Sequence, residues 1–140
     1  KLRTLAAKTA DGSGGTLSED PIFKKKIAEA EIQVLALEYA ELRALAAVSV
    51  GKAPGPESSI LKVVGTEVAQ FIDELYMEMA ALQSLPFVPD QFVEGFSGEA
   101  IGENGEAATA LNYFNNRKAS IYGGSNEIQK NIICKAVLGL

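Results

Sequence analysis

Apolar residues repeat at steps of three and four along the first half of the chain. The stretch from Pro21 to about Val50 has no further proline and no glycine. Its apolar positions share one helical face: Ile32, Leu35, Tyr39, Leu42 and Ala46, widened by Leu37, Leu45 and Val48. This spacing predicts a long helix that packs in a bundle. Asp20 is the expected cap, and Pro21 suits the first helical position.

A second long helix is predicted from about Glu57 to Leu82, after the breaker Gly51–Pro56. Its apolar positions keep helical spacing: Ile60, Val64, Val68, Phe71, Leu75, Met79 and Leu82. Two long helices joined by a short turn predict an antiparallel hairpin. We expect the two apolar stripes to supply most of the stability, because burial contributes about 1.5–3 kcal/mol per large side chain.

Two shorter helices are predicted towards the end, from about Glu106 to Ser120 and from about Asn126 to Val137. The expected inward positions of the first are Ala107, Ala110, Leu111 and Phe114. The segment 85–105 has two prolines and glycines at 95, 98, 102 and 105, which indicates an irregular connection. The predicted fold is therefore all-α, an antiparallel four-helix up-and-down bundle.

Residues 1–19 are predicted to precede this bundle, which occupies residues 20–140. The chain does not begin with methionine, and Leu2, Leu5 and Ala6 look like the last turns of a helix that began upstream. We therefore expect the carboxy-terminal part of a longer protein, with an exported and processed domain as the alternative. Residues 11–17, Asp-Gly-Ser-Gly-Gly-Thr-Leu, have the composition of a flexible loop.

Composition excludes several classes of function. The net charge of −5 and the absence of a basic stripe argue against nucleic acid as a partner. No apolar run approaches the roughly 20 residues of a membrane span, and no signal peptide is visible. The single cysteine, Cys134, excludes an intrachain disulfide and leaves the cytoplasm as the default location.

The chain has no histidine, which excludes Ser-His-Asp, Cys-His and histidine-based zinc chemistry within it. Four glutamates lie on the first long helix: Glu29, Glu31, Glu38 and Glu41. A di-iron bundle needs histidine beside such residues. We therefore interpret these glutamates as a solvated helix face and predict no metal site.

The segment from Gly123 to Glu127 is the main candidate for binding. Two glycines and a capping serine lead directly into the last helix. Glycine lets the backbone approach a ligand, and a helix N-terminus offers N–H groups and partial positive charge to an anion. The same pattern also fits an ordinary turn with an N-cap.

The run Tyr122–Ile133, Tyr-Gly-Gly-Ser-Asn-Glu-Ile-Gln-Lys-Asn-Ile-Ile, resembles the carboxy-terminal signature of the acyl-CoA dehydrogenases, which are flavoenzymes. Arg117–Tyr122 resembles the Arg-x-Ala-x-Ile-Tyr run that precedes it in many members. A looser resemblance covers residues 20–140, including Ser58–Lys62. It implies FAD as cofactor and oxidation of the Cα–Cβ bond of an acyl-CoA to a trans-2-enoyl-CoA.

The resemblance also assigns roles to residues. Gly124 matches the glycine near the acyl thioester, and the flavin-contacting positions are Ser125, Asn126 and Glu127. A carboxylate in the first turn of a helix favours its ionised form, so Glu127 suits a hydrogen-bond acceptor for a ribose hydroxyl or an adenine amine. Gly123 stands where many members carry the catalytic glutamate, so no catalytic residue is assigned.

Other expectations concern partners. The resemblance implies an electron-transfer flavoprotein as electron acceptor, and a homo- or hetero-oligomer, dimer or tetramer. Some members carry the base on an earlier helix, which here would precede Lys1, and the isolated fragment is expected to be inactive. Leu85–Pro89 replaces the glycine-rich flavin motif of the family. The alternative is a non-catalytic interaction or scaffold module, or a catalytically silent partner subunit.

Overall fold

The computed structural model describes residues 1–53, 55–99, 101–102 and 106–139. Five α-helices form within these residues: α1 (Leu2–Ala6), α2 (Pro21–Ser49), α3 (Glu57–Ala80), α4 (Ala107–Asn116) and α5 (Asn126–Leu138). No β-strand occurs in them, and one isolated bridge pairs residues 10 and 16. The all-α class is confirmed, while the up-and-down order of four helices stays a prediction.

In the described part of the chain, three 3₁₀ turns complete the regular structure, at Ala81–Ser84, Pro89–Phe92 and Arg117–Ser120. The domain boundary expected between residues 19 and 20 also stays a prediction. Some of the sequence-based expectations fall outside the described residues; they concern Pro54, Gly105, Leu140 and the side chain of Ala107.

Local signals placed the helix ends well. The Asp20 carboxylate accepts a hydrogen bond from the Ile22 N–H at 2.9 Å, so the predicted cap of α2 is confirmed. At the other end of the chain, Gly139 adopts the left-handed conformation, with φ of 70°, and stops α5. These signals act over four residues or fewer, which is why a sequence pattern detects them.

The ends of α3 and α4 come earlier than predicted. Ala81 adopts a φ of +45°, which is outside the helical region, and α3 gives way there to a 3₁₀ turn. α4 ends at Asn116 and is followed by a 3₁₀ turn, in which the Arg117 carbonyl accepts hydrogen bonds from Gln70 Nε2 at 3.4 Å and from Ser120 Oγ at 3.0 Å. The Arg117 guanidinium returns a bond to the Gln70 carbonyl at 3.1 Å.

The described chain divides into two compact units. Unit 1 comprises Lys1–Ala28 and Ile72–Asn116, and unit 2 comprises Glu29–Phe71 and Arg117–Leu140. The apolar core of unit 1 contains Ala6, Phe23, Ile27, Leu75, Met79 and Ala80. The buried apolar residues of unit 2 are Ala30, Val63, Val68 and Ala119.

The stripe predicted on α2 is not buried. Leu37 is half-buried, and the other large members are exposed: Ile32, Leu35, Tyr39, Leu42, Leu45 and Val48. The expectation that this stripe contributes to stability within the chain was therefore wrong. In the stripe predicted for the second long helix, Val68, Leu75 and Met79 are buried as expected and Phe71 is half-buried. The prediction was wrong for Ile60, Val64 and Leu82, which are exposed.

The inward face predicted for α4 was also wrong at two positions, because Leu111 and Phe114 are exposed. The helix instead turns Thr109 and Asn112 towards a cavity in unit 1. Asn116 at its end donates a hydrogen bond to Asp73 at 2.8 Å. The side of α4 that lines the cavity therefore carries polar side chains.

The loop predicted as flexible is tied together by hydrogen bonds. The Asp11 carboxylate accepts from the backbone N–H of Ser13 at 2.7 Å and of Gly15 at 3.0 Å. The Ser13 hydroxyl adds a further bond at 2.8 Å. The bonds from Ser13 hold the pKa of Asp11 below its usual value.

Candidate functional site

The segment Gly123–Glu127, which we call the α5 corner, lies in unit 2. It follows the 3₁₀ turn at Arg117–Ser120 and includes the first two residues of α5. Gly123 and Gly124 both adopt positive φ, at 68° and 88°. Such angles are strained for residues with a side chain. The glycine pair is therefore required by the turn that leads into α5.

Gln129 closes this turn, although sequence reasoning gave it no role. Its Nε2 donates a hydrogen bond to the Gly123 carbonyl at 3.2 Å. A Cβ added to Gly124 would lie 2.6 Å from the same nitrogen, so a side chain at this position would push Gln129 away. The only sequence signal was the position of Gln129 on the first turns of the predicted helix.

Ser125 caps α5, as predicted. Its backbone is extended, with φ of −60° and ψ of 155°, and its hydroxyl oxygen accepts from the Ile128 N–H at 3.4 Å. The backbone carbonyl of Ser125 accepts from the Gln129 N–H at 2.9 Å, which begins the helical ladder. The cap fixes the direction in which α5 leaves the turn.

Glu127 is exposed and ionised. Its pKa is held below the ordinary value by a hydrogen bond from its own backbone N–H, then by one from the Ser125 hydroxyl, and further by the charges of Lys130 and Lys62. The Ser125 hydroxyl thus accepts from one helical N–H and donates to Glu127. The α5 corner already contains an anion of its own at the positive end of the helix.

Asn126 is buried, with only 7% of its surface exposed. Its Oδ1 accepts from Lys62 Nζ at 2.7 Å, and Thr66 Oγ1 lies 3.3 Å away. Both partners come from α3, 60 or more residues earlier. The sequence placed Lys62 in a segment resembling the family but gave no sign of this contact.

The four residues predicted to bind cofactor and substrate are consecutive, and the structure gives them different settings. Glu127 and Gly124 are exposed, Ser125 is half-buried and Asn126 is buried. Gly123, at the usual base position, has no side chain to remove a proton. Leu85–Pro89 belongs to unit 1, where Leu85 and Phe87 are exposed.

Unit 1 contains a cavity of about 140 Å³ lined by parts of α1, α3 and α4. Desolvation and the nearby charge of Asp73 raise the pKa of Tyr76 in its wall. The buried Oε2 of Glu106, also in the wall, has no hydrogen-bond partner among the described residues. Unit 2 has an open groove of about 440 Å³ between the end of α2 and the start of α3.

The described part of the chain has no group of three or more cysteine, aspartate or glutamate residues placed to hold a metal ion. None of its helices combines the length and the hydrophobicity that crossing a bilayer requires.

Comparison with known proteins identifies the fold. A chain of the ChsE4-ChsE5 complex from Mycobacterium tuberculosis has a similar structure, with a TM-score of 0.72 and 24% sequence identity. The match covers 99% of the present chain and 33% of the other, so the present chain spans about a third of that chain's length. No curated protein sequence matches.

The sequence profile described as acyl-CoA dehydrogenase, C-terminal domain, matches residues 4–138. That match includes all of α2, α3, α4 and α5, together with the α5 corner. It confirms the resemblance first indicated by Tyr122–Ile133. This chain therefore belongs to the acyl-CoA dehydrogenase C-terminal domain family.

Proposed function

We propose that this chain is the carboxy-terminal helical domain of a flavin-dependent acyl-CoA dehydrogenase, which oxidises the Cα–Cβ bond of an acyl-CoA to a trans-2-enoyl-CoA. Membership of the family supports this class of reaction. The observation that carries the site is the turn of two left-handed glycines, Gly123 and Gly124, which leads directly into the capped start of α5. This turn places the ionised carboxylate of Glu127 beside backbone N–H groups at the start of the helix.

The chemistry of the α5 corner fits FAD through its hydroxyl and amine groups. Glu127 is ionised and exposed, so its carboxylate is an acceptor for ribose hydroxyls or the adenine amine. A phosphate on the same helix N-terminus would lie beside this charge, and like charges repel. When bound, FAD supplies the acceptor for the hydride that leaves the substrate Cβ.

Ser125 and Asn126 are proposed to contact the cofactor mainly through their backbone. The Ser125 hydroxyl is used by Glu127 and by the helix start, and Asn126 Oδ1 is used by Lys62. The cap uses the Ile128 N–H and the Glu127 carboxylate uses the Glu127 N–H, whereas the N–H groups of Ser125 and Asn126 precede the helical hydrogen-bond ladder, which begins with Gln129. They add donors beside the acceptor on Glu127.

Gly124 is proposed to lie against the acyl thioester. A glycine lets the backbone approach a ligand closely. A Cβ added to the neighbouring Gly123 would meet no atom within 4 Å, so open space lies beside the turn. An acyl-CoA that uses this space would reach the same corner as the cofactor.

The α5 corner contains no base for the Cα proton. Gly123 lacks a side chain, and the lowered pKa of Glu127 makes that carboxylate a poor proton acceptor near neutral pH. We propose that the base comes from a segment before Lys1 or from another subunit. A catalytically silent subunit of a heteromeric enzyme is the second candidate function, favoured by glycine at position 123.

Assembly into a homo- or hetero-oligomer, dimer or tetramer, is supported by the exposed apolar stripe of α2, because large exposed apolar patches mark interaction sites. The similar solved chain comes from a complex of two named components. In this proposal the electrons pass on to an electron-transfer flavoprotein.

The test is the visible absorbance of the full-length protein, recorded anaerobically before and after a panel of acyl-CoAs is added. We expect a flavin spectrum that bleaches with one class of acyl chain. A flavin spectrum that no acyl-CoA bleaches would favour the silent subunit. A folded, colourless protein that takes up no added FAD would reject the flavoenzyme and favour a scaffold module.

Gly124→Ala tests whether the α5 corner takes part. Its new Cβ meets Gln129 at a strained φ, so we expect FAD to bind at least about tenfold more weakly, a change of about 1.4 kcal/mol. The control is Gly65→Ala on α3, where an added Cβ meets no atom within 4 Å. Equal affinities in the two variants would place the cofactor elsewhere.

A further inference from the structure

Lys62 joins α3 to the first residue of α5 across 64 residues of sequence. Its Nζ lies 2.7 Å from an Asn126 side-chain atom that must be the amide oxygen, because an ammonium group only donates. Hydrogen bonds from a charged donor are about twice as strong as neutral ones. This bond therefore sets the orientation of the whole Asn126 amide.

Thr66 is a weaker partner of Asn126. Its hydroxyl has one proton, and two carbonyls of its own helix are closer: that of Val63 at 2.8 Å and that of Lys62 at 2.9 Å. The distance to Asn126 Oδ1 is 3.3 Å. Lys62 is thus the principal side chain that holds Asn126 in place.

The position of Lys62 runs against local preference. A positive charge beside a helix N-terminus is opposed by the helix dipole, and a half-buried ammonium has lost part of its hydration. Residues that break local rules are expected at functional sites. Here the next residue after Asn126 is Glu127, the proposed flavin contact, so any movement of Asn126 moves Glu127 with it.

We propose that Lys62 is a positioning residue for the α5 corner: by holding buried Asn126, it fixes Gly124 and Glu127 where cofactor and substrate meet. The proposal rests on the function given above for its consequence, but the anchoring itself does not require FAD. Lys62 acts through Asn126 and does not touch the reacting groups.

The test compares Lys62→Met with Lys130→Met in the full-length protein. Lys130 is an exposed lysine on α5, 3.9 Å from Glu67, so its loss removes the same charge near Glu127 without touching Asn126. We expect Lys62→Met to bind FAD at least about tenfold more weakly, as the loss of a charged hydrogen bond implies, with Lys130→Met within about twofold of the parent.

Two further variants separate positioning from general stability. Val68→Ala removes part of a buried side chain on α3 and should lower the melting temperature without changing FAD affinity. In a protein that already carries Asn126→Ala, adding Lys62→Met should change FAD affinity very little, because Lys62 acts through Asn126. Additive losses in the double variant, or an equal loss of affinity in Val68→Ala, would overturn the proposal.

Hydrogen exchange at the Ile128 and Gln129 amides gives a readout that needs no cofactor. We expect faster exchange at both in Lys62→Met than in Lys130→Met, because the start of α5 is released. Unchanged exchange would overturn the anchoring. A parent protein without flavin, together with faster exchange in Lys62→Met, would reject the flavoenzyme and leave the anchoring standing.

Discussion

Two groups of apolar residues on α2, one near its start and one further along, differ in burial. Near its start, Phe23 and Ile27 are 1% and 4% exposed, whereas further along Ile32, Tyr39 and Leu42 are 67%, 62% and 54% exposed. At about 100° of rotation per residue, Ile32 and Tyr39 lie on the other side of the helix from Phe23 and Ile27. Periodic spacing thus identifies apolar sides of a helix, but it does not show which of them the chain itself covers.

Contacts within unit 1 account for the first group. Phe23 and Ile27 belong to its core, and Lys26 pairs there with Glu78 on α3. The second group, in unit 2, has no such cover from the described residues. Because this chain spans about a third of a similar solved chain, we propose that another subunit or another part of the full protein covers the stripe.

The largest expected effect is the difference in free energy of unfolding between Phe23→Ala, in the buried group on α2, and Tyr39→Ala, in the exposed group. Removing a fully buried phenylalanine costs about 3–5 kcal/mol, whereas Tyr39→Ala should change the free energy of unfolding by less than about 0.5 kcal/mol. Urea denaturation of the 140-residue chain measures both. Similar losses would mean that the chain itself covers Tyr39 in solution.

Leu42→Glu tests what covers the exposed group. A charge placed in an apolar interface should weaken self-association of the full-length protein at least about tenfold, or about 1.4 kcal/mol. Sedimentation over a range of concentrations measures this, with Glu41→Gln as the neighbouring exposed control. An assembly unchanged by Leu42→Glu would place the subunit contact on another surface.

Lys26→Met should have the smallest effect on the free energy of unfolding. It tests how much the Lys26–Glu78 ion pair contributes to stability beside the buried residues Phe23 and Ile27. The Lys26–Glu78 distance is 2.6 Å, but both side chains are more than a third exposed, so the pair should contribute less than about 1 kcal/mol. Lys24→Met, two residues earlier, is the control for a lost exposed charge. A loss of stability as large as that of Phe23→Ala would show that the ion pair, rather than apolar packing, holds the start of α2 in unit 1.

The sequence was most accurate where a signal and its effect lie within four residues. Asp20 and Ser125 cap the helices that they were predicted to cap, and the glycine pair forms the expected turn. The α5 corner was therefore recognisable as a local structure. Its assignment to cofactor and substrate stays a proposal, because no local pattern defines a ligand.

By itself, the sequence determined the all-α class, the positions of the long helices and the family, since helical period, caps and signature residues are local properties of the chain. Only the tertiary structure decided that Lys62 holds Asn126, that Gln129 closes the turn and that Phe114 faces outward. Such contacts depend on which surfaces meet after the helices form. The periodic spacing of apolar residues predicts a helix and its apolar sides, but which of these sides is buried depends on packing against the rest of the structure.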